Sequence, residues 1–165
     1  MKLVVIGAGG GLGRNAIDAA LAAGHDVRAF VRDPAKLELD PAVSVIAGDA
    51  GRADDVARAL AGMDAAPFCV NPPITAWLTQ FPPLIAAGSR APAGAVRGWC
   101  SPRTSGSTAV ASPASWSPSS SLQRRSRGAG SCAGIEDAIR GAGIRYAMVR
   151  LPEFYGPHVM TLTPA

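Results

Sequence analysis

Apolar positions in the first 88 residues switch repeatedly between the strand period and the helix period. Lys2 to Ile6 is a short β-branched run ended by glycine, which predicts a buried strand. Leu12 to Ala23 predicts a helix, with Ile17 and Leu21 one turn apart and Gly24 as the stop signal. Asp26 to Val31 and Val43 to Ala47 predict a second and a third strand. Arg52 to Leu60 predicts a helix with Asp54 and Asp55 in its first turn, where the helix dipole favours acids, and Val56 and Leu60 four apart. Ala65 to Val70 predicts a fourth strand, weakened by Pro67, which has no N–H for a ladder. Ile74 to Ala87 predicts another helix, kinked at Pro82 and Pro83.

Strands alternating with helices at this spacing imply an α/β fold of the Rossmann type, a doubly wound parallel sheet. The pattern stops at residue 89 and returns at Gly134. Ile135, Ala138, Ile139 and Ala142 then share one helical face, and Ile144 to Val149 predicts a further strand. The expected organisation is a front half at 1–88, an irregular stretch at 89–132, and a returning helix and strand of the same domain at 133–165. The sheet is expected to be incomplete.

Composition sharpens this division. Residues 89–132 hold 12 of the chain's 13 serines, six arginines and no acid, and offer only Val96, Val110 and Leu122 as aliphatic core candidates. The net charge of +4 therefore sits in that stretch, since the remainder has ten Lys and Arg against twelve Asp and Glu. Trp99 and Trp116 lie there without a repeated aromatic–basic spacing, so nucleic acid is disfavoured as a partner. No apolar run is long enough to span a membrane. The apolar start meets Gly7 too early for a secretory signal, so a cytoplasmic location is expected. Cys69, Cys100 and Cys132 have no metal-ligand spacing and fit reduced thiols; no metal site is expected.

The candidate chemistry lies in Gly7-Ala8-Gly9-Gly10-Gly11-Leu12-Gly13-Arg14, between the first strand and the first helix. A glycine turn there lets a pyrophosphate approach the helix N-terminus. The glycines satisfy Gly-x-x-Gly-x-x-Gly at 7, 10 and 13; the strict Gly-x-Gly-x-x-Gly fails because position 12 is leucine.

This loop resembles the start of atypical and extended short-chain dehydrogenases/reductases, of the NmrA-like and NAD-dependent epimerase/dehydratase kind. The stretch from Gly24 to Pro34 is similar to the family's second strand and its end. Gly48-Asp49 resembles the motif after the third strand, and Arg150-Leu151-Pro152-Glu153-Phe154-Tyr155-Gly156-Pro157 resembles the family's Arg-Pro-Gly-x-x-Tyr-Gly-Pro loop. The likeness covers 1–88 and 134–160. It implies dinucleotide binding by Gly7, Gly9, Gly10, Gly11, Leu12 and Gly13, with a small-molecule substrate of unknown identity. It also implies that Asp49 faces the adenine and that Asn71, in Asn71-Pro72-Pro73, lines the nicotinamide ribose. Asp49 equally suits a helix N-cap, and Asn71 a simple turn. NAD-binding relatives carry an acid at the end of the second strand to hold the ribose 2′-hydroxyl. Here that place is Val31, followed by Arg32, whose guanidinium suits a 2′-phosphate. NADP(H) is therefore expected over NAD(H), although Asp33 could still serve a ribose.

The family's Tyr-x-x-x-Lys proton relay is missing. Four residues beyond Tyr146 and Tyr155 stand Arg150 and Val159, and the only lysines are Lys2 and Lys36. Reading each third base of 98–109 with the first two bases of the next codon permits Leu-Val-Phe-Pro-Ser-Asn-Val-Trp-Val-Tyr-Gly, a buried strand followed by a family-like loop. The valine after the leucine is forced by the single codon of Trp99, and the other residues are chosen among those the codons permit. A frame slip near 89, restored near 133, is expected, against the alternative of a natural Ser/Arg-rich insert. The family's C-terminal substrate lobe is expected to lie outside this sequence. Catalytic impairment follows from these expectations, with a non-catalytic NADP sensor of the NmrA-like kind as the alternative.

Overall fold

The structure is a computed structural model and describes residues 1–73, 76–89, 99–104, 141, 147–151 and 157–158. In chain order the elements are β1 (Lys2–Ile6), α1 (Gly11–Ala22), β2 (Asp26–Val31), a 3-10 turn (Pro34–Lys36), β3 (Ser44–Ala47), α2 (Ala53–Leu60), β4 (Ala66–Pro67), α3 (Trp77–Ser89), β5 (Trp99–Thr104) and β6 (Ala147–Leu151). All pairings are parallel. β1 pairs β2 from Lys2↔Asp26 to Ile6↔Phe30, and β2 pairs β3 from Arg28↔Ser44 to Val31↔Ala47. β4 pairs β5, and β5 pairs β6. Two isolated bridges, Leu3↔Ala65 and Ile6↔Phe68, join the two triplets into the order β3-β2-β1-β4-β5-β6. That order is the dinucleotide-binding arrangement of doubly wound sheets.

Pro67 explains why β1 and β4 meet only through bridges. Val4 N donates to Ala65 O at 3.0 Å, and Cys69 N donates to Ile6 O at 2.7 Å. Between these, a regular parallel ladder would send an amide proton from position 67 to the carbonyl of Val4, and proline has none. The fourth strand expected over 65–70 is accordingly only Ala66–Pro67.

Alternation along β1 divides the core in two. Val4 and Ile6 pack with Phe30, Val56, Leu60, Phe68 and Ile85 beneath α2 and α3. Val5 packs with Ile17, Ala29, Val31 and Val43 beneath α1. Helix α1 ends as its sequence dictates: Gly24 takes φ +73°, and the amides of Gly24 and His25 turn back to Leu21 O and Ala20 O. Arg28, on β2, donates to Ala59 O and Ala61 O at the C-terminal end of α2, where carbonyls lack helical partners.

Three expectations need correction. The structure runs β5 through Trp99–Thr104, inside the stretch expected to be irregular. A ladder is made by backbone groups, so a chain seated between β4 and β6 can pair even with Pro102 in the run. The helix expected at 74–87 begins at Trp77 and continues through Pro82 and Pro83 to Ser89; residues 74 and 75 lie outside the described residues. The last strand is shifted to Ala147–Leu151. Of the helix expected at 135–142 only Gly141, which is helical, is described.

Packing generates a stability contrast. Ile17 is 1% exposed and ties α1 to the sheet, whereas Val45 on the edge strand is 46% exposed. Ile17→Ala is expected to cost about 2–5 kcal/mol and Val45→Ala less than about 0.5 kcal/mol, read by urea denaturation.

Candidate functional site

The predicted site residues converge at the C-terminal ends of the strands. Gly7 follows β1, Arg32 follows β2, Asp49 stands two residues beyond β3, and Asn71 lies beyond β4. A doubly wound sheet offers its binding crevice there, where the strand order reverses between β1 and β4.

Backbone contact builds the centre of this crevice. Gly7 has φ +88°, and a Cβ on it would fall 2.8 Å from Val70 N and 2.9 Å from the carbonyl carbon of Cys69. A Cβ on Gly13 would fall 2.3 Å from Gly7 O and 2.7 Å from Ala8 Cα. These two glycines are therefore needed by the fold itself. Gly10 is different: a Cβ there would meet only Gly7 O, at 3.6 Å. Gly9 is open too, its nearest neighbour being Val31 Cγ1 at 4.0 Å. Gly9 and Gly10 are exposed, Gly11 and Leu12 half-buried.

Gly10 caps α1 in an extended conformation, φ −82° and ψ 161°, and brings no capping side chain. The amides that open the helix at Gly11, Leu12 and Gly13 thus have no side-chain acceptor among the described residues. Amides at a helix start and the positive end of its dipole form an anion site. The open glycines at 9 and 10, next to such a helix start, leave room for an anionic group to approach its amides.

The flanking residues separate by partner. Arg32 is exposed, and its side chain has no hydrogen bond or ion pair among the described residues. Asp33 is occupied: its carboxylate caps the 3-10 turn through Ala35 N at 3.3 Å and pairs with Lys36 Nζ at 3.0 Å. Asp49 is not the N-cap of α2, which is Arg52. Its Oδ1 accepts from Gly51 N at 2.8 Å, and the residue is exposed. Asn71 is exposed one residue beyond Val70, which abuts Gly7. Sequence reading treated Asp55 only as a dipole-compensating acid; the structure brings it to the Asp49 corner. It also ties Pro157 and His158 to α1, through Asn15 Nδ2 to Pro157 O at 2.6 Å and His158 Nε2 to Asp18 Oδ2 at 3.3 Å. Tyr146 and Tyr155 lie outside the described residues. No group of three metal-ligating side chains occurs among the described residues, and no helix there is long and apolar enough to cross a membrane.

Comparisons with known proteins agree with this geometry. A family model described as NAD(P)H-binding matches residues 7–91, just over half of the chain. The 3-beta-hydroxysteroid dehydrogenase of Mycolicibacterium neoaurum is 38% identical over 63 residues, which span 38% of this chain and 17% of that protein. Citrobacter sp. triphenylmethane reductase, solved with NADP(H), superposes with a TM-score of 0.64 at 24% identity, covering 91% of this chain and 49% of its own. A nucleoside-diphosphate-sugar epimerase from Staphylococcus aureus gives 0.64 at 20% identity, covering 91% and 50%. At these identities the two structures establish a shared Rossmann fold. The chain spans about half the length of each.

The glycine contacts predict a split between folding and binding. Gly13→Ala is expected to lower the melting temperature by more than about 5 °C, since backbone must move to admit the methyl. Gly10→Ala is expected to leave it within about 2 °C, because its methyl meets only ordinary contact. Thermal melts of the two variants check this.

Proposed function

The chain belongs to the NAD(P)H-binding family, and from that premise we propose that it binds NADP(H) in preference to NAD(H) and, as written, does not turn over the redox chemistry of its reductase and epimerase relatives. The observation that carries the cofactor preference is the contrast between two neighbours. Arg32 has no partner among the described residues, while Asp33 is engaged by Ala35 N and Lys36. A free guanidinium suits a 2′-phosphate, and an engaged carboxylate is poorly placed to take a ribose hydroxyl. Gly7, Gly9, Gly10, Gly11, Leu12 and Gly13 would hold the pyrophosphate, Asp49 the adenine, and Asn71 the nicotinamide ribose. The bound group would supply a hydride carrier; this chain's residues would orient it.

The missing proton relay supports the second half of the proposal. A tyrosine needs a nearby lysine to lower its pKa for proton transfer near neutral pH. Lys2 opens β1 at the end of the sheet opposite the glycine turn, and Lys36 pairs with Asp33 beyond β2. General acid–base help is worth roughly 10²–10⁴ in rate, so losing it takes turnover towards background. We assign the division at 89 and 133 to a displaced reading frame. The encoding DNA tests that assignment: a stop codon in the displaced frame between those positions would overturn it. The same missing relay favours a second reading, a regulator that senses NADP without turnover.

Calorimetry checks the cofactor preference. NADPH is expected to bind more tightly than NADH, and Arg32→Ala should narrow the gap; equal affinities, or tighter NADH, would overturn the assignment. Gly10→Val should weaken both, by crowding the pyrophosphate rather than by unfolding the chain. NADPH oxidation against aldehydes, ketones and quinones is expected at background; clear turnover would mean that another group, such as Tyr155, donates the proton.

A further inference from the structure

We infer that Asp55 is the positioning residue for the adenine end of the dinucleotide site, fixing the Gly48–Asp49 corner so that Asp49 can read the base. This inference rests on the dinucleotide reading above. Asp55 is the third residue of α2, where an acid usually compensates the dipole or closes a capping box onto the N-cap amide. Here it does neither alone. The amide of the N-cap Arg52 is already taken by Asp49 O at 3.0 Å. Asp55 reaches past it, and its Oδ2 accepts from Asp49 N at 3.0 Å.

Both oxygens of that carboxylate are held. Oδ1 accepts from Arg58 Nη2 at 2.8 Å, and Arg52 Nε lies 3.8 Å from Oδ2. The two arginine side chains are 59% and 72% exposed, whereas that of Asp55 is 19% exposed. The arginines therefore cover an acid whose side chain is mostly out of water, and its bonds to Asp49 N and Arg58 are charge-assisted.

The corner has nowhere else to go. A Cβ on Gly48 would fall 2.4 Å from Phe30 Cε2 and 3.1 Å from Asp55 Cβ, so its backbone is wedged between a buried ring and the Asp55 side chain. Asp49 Oδ1 is turned inward onto Gly51 N. Asp49 Oδ2 accepts no hydrogen bond among the described residues, so it is the acceptor left for the base, on a backbone that the Asp55 bond to the Asp49 amide holds. An amino group on a purine is the donor that such an acceptor selects.

The test is selectivity between NADPH and its deamino analogue, in which hypoxanthine replaces adenine and the exocyclic amino group is gone. Wild type should favour NADPH by about tenfold, the weight of one well-made hydrogen bond to a charged group. Asp55→Ala and Asp55→Glu should reduce the ratio to less than about threefold. Both should leave the affinity for reduced nicotinamide mononucleotide, which has no adenylate, unchanged. Asp55→Asn keeps an acceptor for the Asp49 amide and should retain the wild-type ratio. If Asp55→Ala does not fold, Asp55→Glu and Asp55→Asn carry the test. A folded Ala or Glu variant with the wild-type ratio would overturn the inference. So would an Asn variant as poor as Ala, or a wild type that binds NADPH and its deamino analogue equally. A wild type that binds neither NADPH nor NADH would instead overturn the dinucleotide reading itself.

Discussion

The candidate site depends on two contacts in which backbone meets backbone with no side chain between. Gly7 lies against the chain at Cys69 and Val70, and Gly13 lies against Gly7 and Ala8. The first contact brings the end of β1 beside the end of β4, and the second presses the start of α1 onto the turn. Together they set where the helix begins relative to the strand ends. Close packing leaves no slack for a methyl at either point. The opening amides of α1, Arg32, which has no partner among the described residues, and the Asp49 corner are arranged around that fixed turn.

Much of the front half was legible because its signals are local. β1 and β2 fall where β-branched runs stop at turn residues, and α1 ends where Gly24 can take a positive φ. The residues proposed for the site stand out in the sequence as glycines, an arginine and an acid, and the structure sets them beyond strand ends. What escaped were relations between distant residues. Nothing local says that Arg28 would cap the far end of α2, or that Asp55 would bypass its own N-cap to reach Asp49. Those bonds depend on how α2 lies across the sheet. β5 escaped for the opposite reason: its side chains carry no strand pattern, while its place between β4 and β6 is set by topology.

Charge is distributed unevenly between binding and chemistry. Around the crevice, acids are mostly spent on structure: Asp33 on its turn, Asp55 on the Asp49 amide and Arg58. The guanidinium of Arg32 has no partner among the described residues. A crevice with a surplus cation and a bare helix start is suited to a polyanion. Neither Tyr146 nor Tyr155 has a lysine four residues on, which is why the proposed function separates holding a cofactor from using it.

Pro67 has a consequence for how the molecule comes together. Its missing amide proton leaves a seam between β1-β2-β3 and β4-β5-β6, spanned by two isolated bridges. The first triplet closes with strands about two dozen residues apart or fewer, and its contacts are short in sequence; the second must bring β6 across most of the remaining chain. Loop closure makes the first the easier to form. A nucleus at the N-terminal triplet would therefore hold one of the two glycine contacts, Gly13 on Gly7, before β4 arrives to make the other. A dinucleotide held there as proposed would then act as a clasp across the seam, since the glycine turn is finished only when both triplets are docked.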